Sequence, residues 1–356
     1  AVASSTGRRA LPRLLAATLS LFVLLLSGAR AEAQNMNVSL SRLSIPAEDP
    51  IANPGTLCPN TFGAGLGRVA CGDEAAWSRL MTQFAGAMIP PLLTPAGTRG
   101  VRGIYLGFET WITGIDNEQE YWHRGVEGDG MSADTSRSRF VDGVLAWGRF
   151  NLRKGLPFGF ELGTSIGHQI NTTYWTLGLE VRWSLFEGFR DGVGWIPDLA
   201  VRGSVQTLVG DGELNVTIPA VDVILSLPIT IASTFEIVPF ASGQWSYTFV
   251  DSELVDLTPG VAPFTGCNPD PALPTPTSGA PPYCRGDGSD LNNDWVFESI
   301  RNMRWRLTFG SQIRYEWFTL IGSFAFDVVP PGEADSAVPR DLPRQWTVSI
   351  AAGLTL

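Results

Sequence analysis

A chain of 356 residues can form two soluble domains or one large β-barrel, so its length leaves the fold class open. The composition is more selective, with 39 glycines, 12 tryptophans and 19 phenylalanines, and with 25 basic against 35 acidic residues for a net charge of −10. We expect no nucleic-acid partner for such an acidic chain, because neutralising phosphates needs clustered lysine or arginine. Nearly all of its positive charge is arginine, with Lys154 as the single lysine.

Residues 1–33 have the pattern of an export signal. Three arginines precede the apolar run 14–26, and alternating small residues at 29–33 suit cleavage by a signal peptidase. The apolar run is too short to cross about 30 Å of hydrocarbon as a helix. This pattern favours a cleaved signal peptide over a membrane anchor.

Residues 34–102 form an N-terminal segment that lacks strand alternation. Within it, residues 73–88 have the pattern of a helix, because Trp77, Leu80 and Phe84 fall on one face and two prolines follow its end. The sequence therefore predicts a short helix of about 24 Å, at 1.5 Å per residue.

The four cysteines form two local pairs, Cys58 with Cys71 and Cys267 with Cys284. Disulfides suit an exported chain, and each would stabilise it by roughly 3 kcal/mol in the chain-entropy model. A metal site is the alternative, but neither pair has CxxC spacing and both histidines lie elsewhere.

Residues 103–356 contain segments in which apolar and polar side chains alternate, as successive residues of a strand do. In residues 175–185 and 303–315 the apolar stripe carries aromatic side chains at both ends. Aromatic residues at each interface with aliphatic residues between them are typical of membrane-spanning strands. The ten predicted strands are 103–115, 139–152, 157–168, 173–186, 197–208, 214–229, 235–250, 301–314, 317–329 and 344–356.

Two strands are ambiguous in sequence. In 139–152, either Val141, Leu145 and Trp147 or Val144, Ala146 and Phe150 can face lipid. Strand 214–229 contains Pro219 and Pro228, which cannot donate ladder hydrogen bonds.

The predicted connections differ in length according to the side of the membrane. The connections 153–156, 187–196, 230–234 and 315–316 are mostly short, whereas 116–138, 251–300 and 330–343 are long. With an inner C-terminus, every long connection falls on the outer side, as in barrels with short inner turns and long outer loops.

The last segment, 346–356, carries apolar residues at alternate positions and ends on Leu356. It resembles the C-terminal strand by which bacterial outer-membrane β-barrel proteins are recognised for assembly, although that strand usually ends on an aromatic residue. The resemblance implies an antiparallel transmembrane barrel of about ten strands, with twelve as the alternative. It also implies location in the outer membrane, with membrane lipid and the barrel-assembly machinery as partners.

The N-terminal segment then has two interpretations. It forms a small periplasmic cap or a helix at the inner membrane interface, which is the simpler arrangement, or it forms a plug that reaches into the barrel. A soluble lipocalin-like barrel is a further alternative for the whole chain, but such a barrel would turn its apolar stripes inward.

Polar residues opposite the apolar stripes are predicted to face the lumen. These candidates are Glu109, Glu161, Glu180, Arg182, Arg202, Gln206, Gln244, Arg304, Arg306, Gln312 and Arg314. Barrels of about eight strands have interiors filled by side chains, whereas porins of about sixteen leave a water channel. We favour a lumen filled by paired charges, because an isolated buried charge is costly; a narrow conduction path is the alternative.

The sequence carries no pattern of a catalytic or cofactor site. The ten-strand count resembles the omptin surface proteases, but neither His123 nor His168 has an aspartate two residues before it, and His168 lacks the His-x-Ser of the outer-membrane phospholipases. We expect a non-enzymatic barrel, structural or surface-binding through its external loops. A narrow pore or small-solute transporter is the second hypothesis, and a surface hydrolase or lipid-modifying enzyme the third.

The long predicted loops 116–138 and 251–300 are acidic. Residues 286–294 place several oxygen donors close together, among them Asp287, Asp290 and Asp294, without the spacing of an EF-hand. No dedicated metal site is predicted, but divalent cations are expected partners of this acidic surface.

Overall fold

The structure is a computed structural model. It describes residues 35–46, 70–128, 137–186, 196–232, 235–259, 293–331, 339 and 341–356. The predicted signal peptide and three of the four cysteines, Cys58, Cys267 and Cys284, lie outside the described residues.

Ten antiparallel strands form a closed barrel. They are β1 (Ile104–Gly114), β2 (Val144–Gly155), β3 (Phe160–Gln169), β4 (Trp175–Phe186), β5 (Asp198–Val209), β6 (Leu214–Ser226), β7 (Phe235–Ser252), β8 (Ile300–Tyr315), β9 (Phe318–Asp327) and β10 (Trp346–Thr355). Each strand pairs with its neighbours in sequence, and β10 pairs with β1 to close the ring. The predicted ten-stranded antiparallel barrel is confirmed.

The two ambiguous strands are both present. In β2, Phe150 is 59% exposed on the outer surface while Trp147 is fully buried, so the alternative with Val144, Ala146 and Phe150 outward is correct. Pro219 lies within β6, where it pairs in register with Val205 of β5. The strand ends at Ser226, before the second proline.

The two ends of the barrel differ in their connections. One end, which we call the long-loop end, carries residues 115–143, 170–174, 210–213, 253–299 and 328–345. The other, the short-turn end, carries residues 156–159, 187–197, 227–234 and 316–317 together with the last residue of the chain. The longest connections therefore share one end of the barrel.

Small elements order the described part of the long-loop end. Three two-stranded pairings lie there, Asn35–Val38 with Val126–Gly128, Ser44–Pro46 with Ala70–Gly72, and Val255–Asp256 with Asp294–Trp295. The same end carries the helix α2 (Glu120–Gly125) and the 3-10 turn Leu40–Arg42. At the short-turn end, a 3-10 turn covers Pro157–Gly159 and a short strand, Ile229–Ala232, pairs with the start of β7.

The predicted helix is present as α1 (Glu74–Met88), and it lies inside the barrel. Asp73 caps it by accepting a hydrogen bond from the amide of Ala76 at 3.0 Å. Residues 73–99 run through the lumen from the long-loop end to the short-turn end, where β1 begins. Residues 73–99 of the N-terminal segment are therefore a plug, and the interpretation of this helix as part of a periplasmic cap or as an interfacial helix is wrong.

No helix in the described part of the chain is long and apolar enough to span a membrane.

The plug packs against the wall in two apolar clusters. Towards the long-loop end, one face of α1 packs against inward aromatic residues of the wall, including Trp111 and Trp147. Towards the short-turn end, Leu92, Leu93 and Ala96 of the plug pack against a smaller apolar cluster that includes Phe240. The barrel interior is thus a packed core, while apolar side chains such as Leu179, 63% exposed, cover the outside.

Candidate functional site in the barrel lumen

The eleven residues predicted to face the lumen all lie on the inward face of their strands. Nine of them are at most 4% exposed, namely Glu109, Glu161, Arg182, Arg202, Gln206, Gln244, Arg304, Arg306 and Gln312. The side chain of Glu180 is 12% exposed. Arg314, at the short-turn end, is 45% exposed and pairs with Glu236.

A chain of ion pairs runs around one side of the wall. Glu109 of β1 binds two arginines of β2, with Nη2 of Arg153 at 3.0 Å and Arg149 in direct contact on its other oxygen. Arg153 also pairs with Glu180 of β4, although β3 lies between the two strands.

Gly163 explains how Arg153 reaches Glu180 across β3. It is the register partner of both residues, and a Cβ built at Gly163 would lie 2.5 Å from Cγ of Glu180. Any side chain at this inward position would occupy the path of the ion pair. The absence of a side chain at Gly163 therefore leaves room for Arg153 and Glu180 to meet.

The chain of ion pairs continues from β4 to β6. Nη1 of Arg202 on β5 lies 3.4 Å from Oε2 of Glu180, and Nε of Arg202 lies 2.9 Å from Oδ2 of Asp222, its register partner on β6. From Arg149 to Asp222, three arginines thus balance three carboxylates. Arg182 and Glu161, register partners on β4 and β3, form a separate pair at 2.6 Å. Because these charges are removed from water, each depends on its partners, and deleting one member would be strongly destabilising.

A second cluster of ion pairs lies on β8 and β9. Asp327 of β9 pairs with two arginines, through Oδ2 with Nη1 of Arg304 at 2.7 Å and through Oδ1 with Nε of Arg306 at 3.1 Å. The same two arginines donate to carbonyl oxygens of the plug, Arg304 to Thr82 and Arg306 to Gly86 at 3.0 Å. Wall and plug are therefore joined through shared guanidinium groups.

The wall satisfies the carbonyl groups at the end of α1. The last four carbonyls of a helix have no partner within it, and here Gly86, Ala87 and Met88 accept from Arg306, Trp111 and Gln206 at 2.9–3.0 Å. Positive charge near this end of a helix is also favoured by the helix dipole.

The extended part of the plug is held in the same way. Its prolines cannot donate backbone hydrogen bonds, and their carbonyls accept from the wall. Pro90 accepts from Arg202 and Gln244, Pro91 from Arg202, Leu92 from Ser323, and Pro95 from Arg182. Each of these wall residues belongs to a strand, so the closed barrel fixes the path of the plug.

Several lumenal residues were not among the candidates from sequence. They are Trp111, Arg149, Arg153, Asp222, Ser323, Asp327 and Gln345. The alternation Arg149, Asn151, Arg153 would have identified two of them, because charged side chains on β2 disfavour the lipid-facing side. The sequence gives no comparable indication that Trp111 faces inward. Its inward position makes sense only because the plug packs against it.

The two histidines do not contact the lumenal network. His168 lies on the outward face of β3 with its ring 4.7 Å from that of Trp175, centroid to centroid. His123 lies in α2 with Nδ1 2.8 Å from the carbonyl oxygen of Ser138. Neither contact involves a carboxylate or a residue of the lumenal network.

The predicted cation and disulfide sites are only partly within the described residues. In that part of the chain, no group of three metal-ligating side chains is close enough to hold an ion; Asp287 and Asp290 lie outside it. Cys71 is buried and not free, while the other three cysteines lie outside. The cation and pairing predictions stay predictions.

Comparisons with known proteins find no relative in sequence and only distantly similar structures. No family model and no curated protein sequence matches the chain. One similar solved structure is Ail, the attachment invasion locus protein of Yersinia pestis, with 9% identity over 71% of this chain and 97% of that chain and a TM-score of 0.24. A second is the outer membrane protein OprG from Pseudomonas aeruginosa, with 10% identity over 74% of this chain and 99% of that chain and a TM-score of 0.28. A third is the translocator domain of the autotransporter NalP from Neisseria meningitidis, with 8% identity over 78% of this chain and 93% of that chain and a TM-score of 0.34. At these low identities and TM-scores, conclusions on function come from the residues of this chain.

Proposed function

We propose that this protein is a closed, non-conducting outer-membrane barrel that acts as a structural or binding surface through its long-loop end. The observation that carries the proposal is the plug. Residues 73–99 run through the lumen, and the wall holds them through hydrogen bonds to carbonyl groups of Gly86, Ala87, Met88 and Pro90. Ions would have to displace buried, mutually paired charges to pass, at a high electrostatic cost.

The described part of the long-loop end supports the second half of the proposal. A flexible loop loses conformational entropy when it binds a partner, whereas an ordered surface has already lost it. Here, strand pairing ties Asn35–Val38 to Val126–Gly128 and Val255–Asp256 to Asp294–Trp295. Tyr174, between β3 and β4, also bonds through its hydroxyl to the amide of Val38 at 2.9 Å. The described parts of these loops are thus held in place by strand pairing and by this hydrogen bond.

Conductance in planar bilayers tests the proposal. We expect the intact chain to insert without steps of ionic current, at either polarity of the applied voltage. Regular single-channel steps from the unmodified protein would contradict it.

A second candidate, a pore opened by movement of the plug, is favoured by the polar wall that the plug covers. Gly86→Val distinguishes the two, because a Cβ at this position would lie 2.1 Å from Oε1 of Gln345 and 2.6 Å from the guanidinium of Arg304. The matched control is Gly203→Val on β5, where a Cβ meets nothing within 4 Å. A gated pore predicts current from the first variant and none from the second. A structural barrel predicts no current from either.

A further inference from the structure

One cation at the short-turn end lies on the outer face of the barrel. Lys154, near the end of β2, follows Phe150 and Leu152 in the outward column of that strand, and both of these apolar side chains are exposed. In the ten described strands, Arg301 is the one other outward cation, and it pairs with Asp251 at 2.7 Å. The position of Lys154 therefore differs from that of the lumenal arginines and needs its own explanation.

The side chain of Lys154 reaches the segment of chain that leads into β1. Its Nζ donates to the carbonyl oxygen of Val101 at 3.0 Å, and the next residue, Arg102, is exposed. Neither cation forms an ion pair with a carboxylate in the described part of the chain. Two unpaired positive charges thus lie at one point of the barrel rim, where an anion would be attracted.

The side-chain carboxylates of the described short-turn end do not balance these two cations. Glu161 and Asp198 are buried on the inward faces of their strands. Glu236 pairs with Arg314. Glu316 is exposed in the turn between β8 and β9, and β10 separates β9 from β1. The rim beside β1 and β2 is therefore positively charged in an otherwise acidic protein.

An open groove of about 520 Å³ lies on the outer face next to this rim, across β1 to β4, β9 and β10. Leu106, Phe150 and Leu152 line the groove and are 46%, 59% and 43% exposed, so it is accessible from outside the barrel. Leu152 is the outward residue that precedes Lys154 on β2. A ligand that fills the groove and reaches the cations therefore needs an apolar chain and an anionic head.

Aromatic residues mark the level of Lys154 in the membrane. Phe160 of β3 and Trp183 of β4 are exposed at the short-turn end, and their rings stack with centroids 5.5 Å apart. Lys154 is the register partner of Leu162, two residues from Phe160. Such aromatic residues lie at the interface between hydrocarbon and headgroups. The flexible stem of Lys154 can therefore place its ammonium group at the level of lipid phosphates.

We propose that this rim binds one anionic phospholipid from the leaflet at the short-turn end. Lys154 and Arg102 attract its phosphate group, and an acyl chain lies in the groove beside Leu106 and Leu152. The inference rests on the membrane location contained in the proposed function, and it does not depend on a closed lumen. It assigns a partner to the end of the barrel opposite the proposed binding surface.

Native mass spectrometry of the full chain in detergent tests the proposal with three probes. Dioleoylphosphatidylglycerol has two acyl chains and a net negative charge. Dioleoylphosphatidylcholine has the same chains and phosphate but adds a cationic group, and glycerophosphate has the phosphate without chains. We expect one phosphatidylglycerol per chain, bound at least about fivefold more tightly than phosphatidylcholine. Glycerophosphate should not bind at the same concentration.

Matched variants locate the site. Lys154→Gln and Arg102→Gln should each reduce the preference for phosphatidylglycerol about threefold to fivefold, because each removes one of the two charges. Lys154→Arg keeps the charge and should retain the preference. The control is Arg344→Gln, which removes an exposed cation at the long-loop end and should leave the preference unchanged.

Three outcomes would overturn the proposal. They are equal affinity for the two phospholipids, an unchanged preference in both glutamine variants of the rim, and binding of glycerophosphate as tight as that of phosphatidylglycerol. Insertion of each variant into phosphatidylcholine vesicles, followed by tryptophan fluorescence, tests the membrane location separately. A chain that inserts but shows no preference contradicts the lipid site alone, whereas an unmodified chain that does not insert contradicts the proposed function.

Discussion

The guanidinium group of Arg202 on β5 joins β6, β4 and the plug. It pairs with Asp222 and Glu180 on the wall and donates to the carbonyls of Pro90 and Pro91 on the plug. A planar group with five donors can bind in several directions at once, which a lysine ammonium does not reproduce. This geometry accounts for arginine rather than lysine in the lumenal network.

We predict that Arg202→Met destabilises the barrel by about 3–5 kcal/mol, because it leaves Asp222 buried without its cation. The double variant Arg202→Met/Asp222→Leu should recover part of this loss, since it removes both charges, while Glu180 keeps its pairing with Arg153. Urea unfolding in lipid vesicles measures both changes. A double variant no more stable than the single one would show that the plug contacts, and not the ion pair, carry the energy of Arg202.

Single strands present two faces with different surroundings. On β4, Leu179 points away from the barrel and is 63% exposed, while Arg182 points inward and is 3% exposed. The sequence predicted such strands well, because the outward-facing residues are apolar along the whole length of the strand and leave a clear alternation.

The inward faces were harder to predict. Near the long-loop end, Trp111, Leu145 and Trp147 face inward and pack around the plug, so the rule of a polar interior fails there. This is why the phase of β2 was ambiguous in sequence. The position of α1 was ambiguous for the same reason, because its apolar face, with Trp77 and Phe84, suits a barrel interior and a membrane interface equally.

Leu179→Arg tests the outward assignment of β4. An arginine on the lipid face near the bilayer centre should destabilise the barrel by about 2–4 kcal/mol. The control is Leu254→Arg, because Leu254 is 62% exposed but lies beyond the end of β7 in the long-loop connection, where the cost falls to about 0–1 kcal/mol. Equal costs in vesicle unfolding would mean that β4 does not face lipid as assigned.

The first described residues and the first strand of the barrel lie at opposite ends of the barrel. Residues 35–46 lie at the long-loop end, where the amide of Ser39 donates to the carbonyl of Gly125 at 2.9 Å. β1 begins at the short-turn end, beside the last residue of the chain, Leu356. If the long connections face outward, as the sequence predicts, then residues 35–46 also face outward, and the plug crosses the membrane within the barrel.

Surface labelling of intact cells tests this arrangement. We predict that Ser41→Cys reacts with a membrane-impermeant maleimide, because residue 41 lies on the long-loop side with its side chain partly accessible. Phe158→Cys, at the tip of the short turn before β3 and 90% exposed in the parent residue, should react only after the cells are opened. Labelling of position 158 but not 41 in intact cells would reverse the orientation. Labelling of neither in intact cells, with both reacting after opening, would show that residues 35–46 stay inside and that the plug does not reach the outer end.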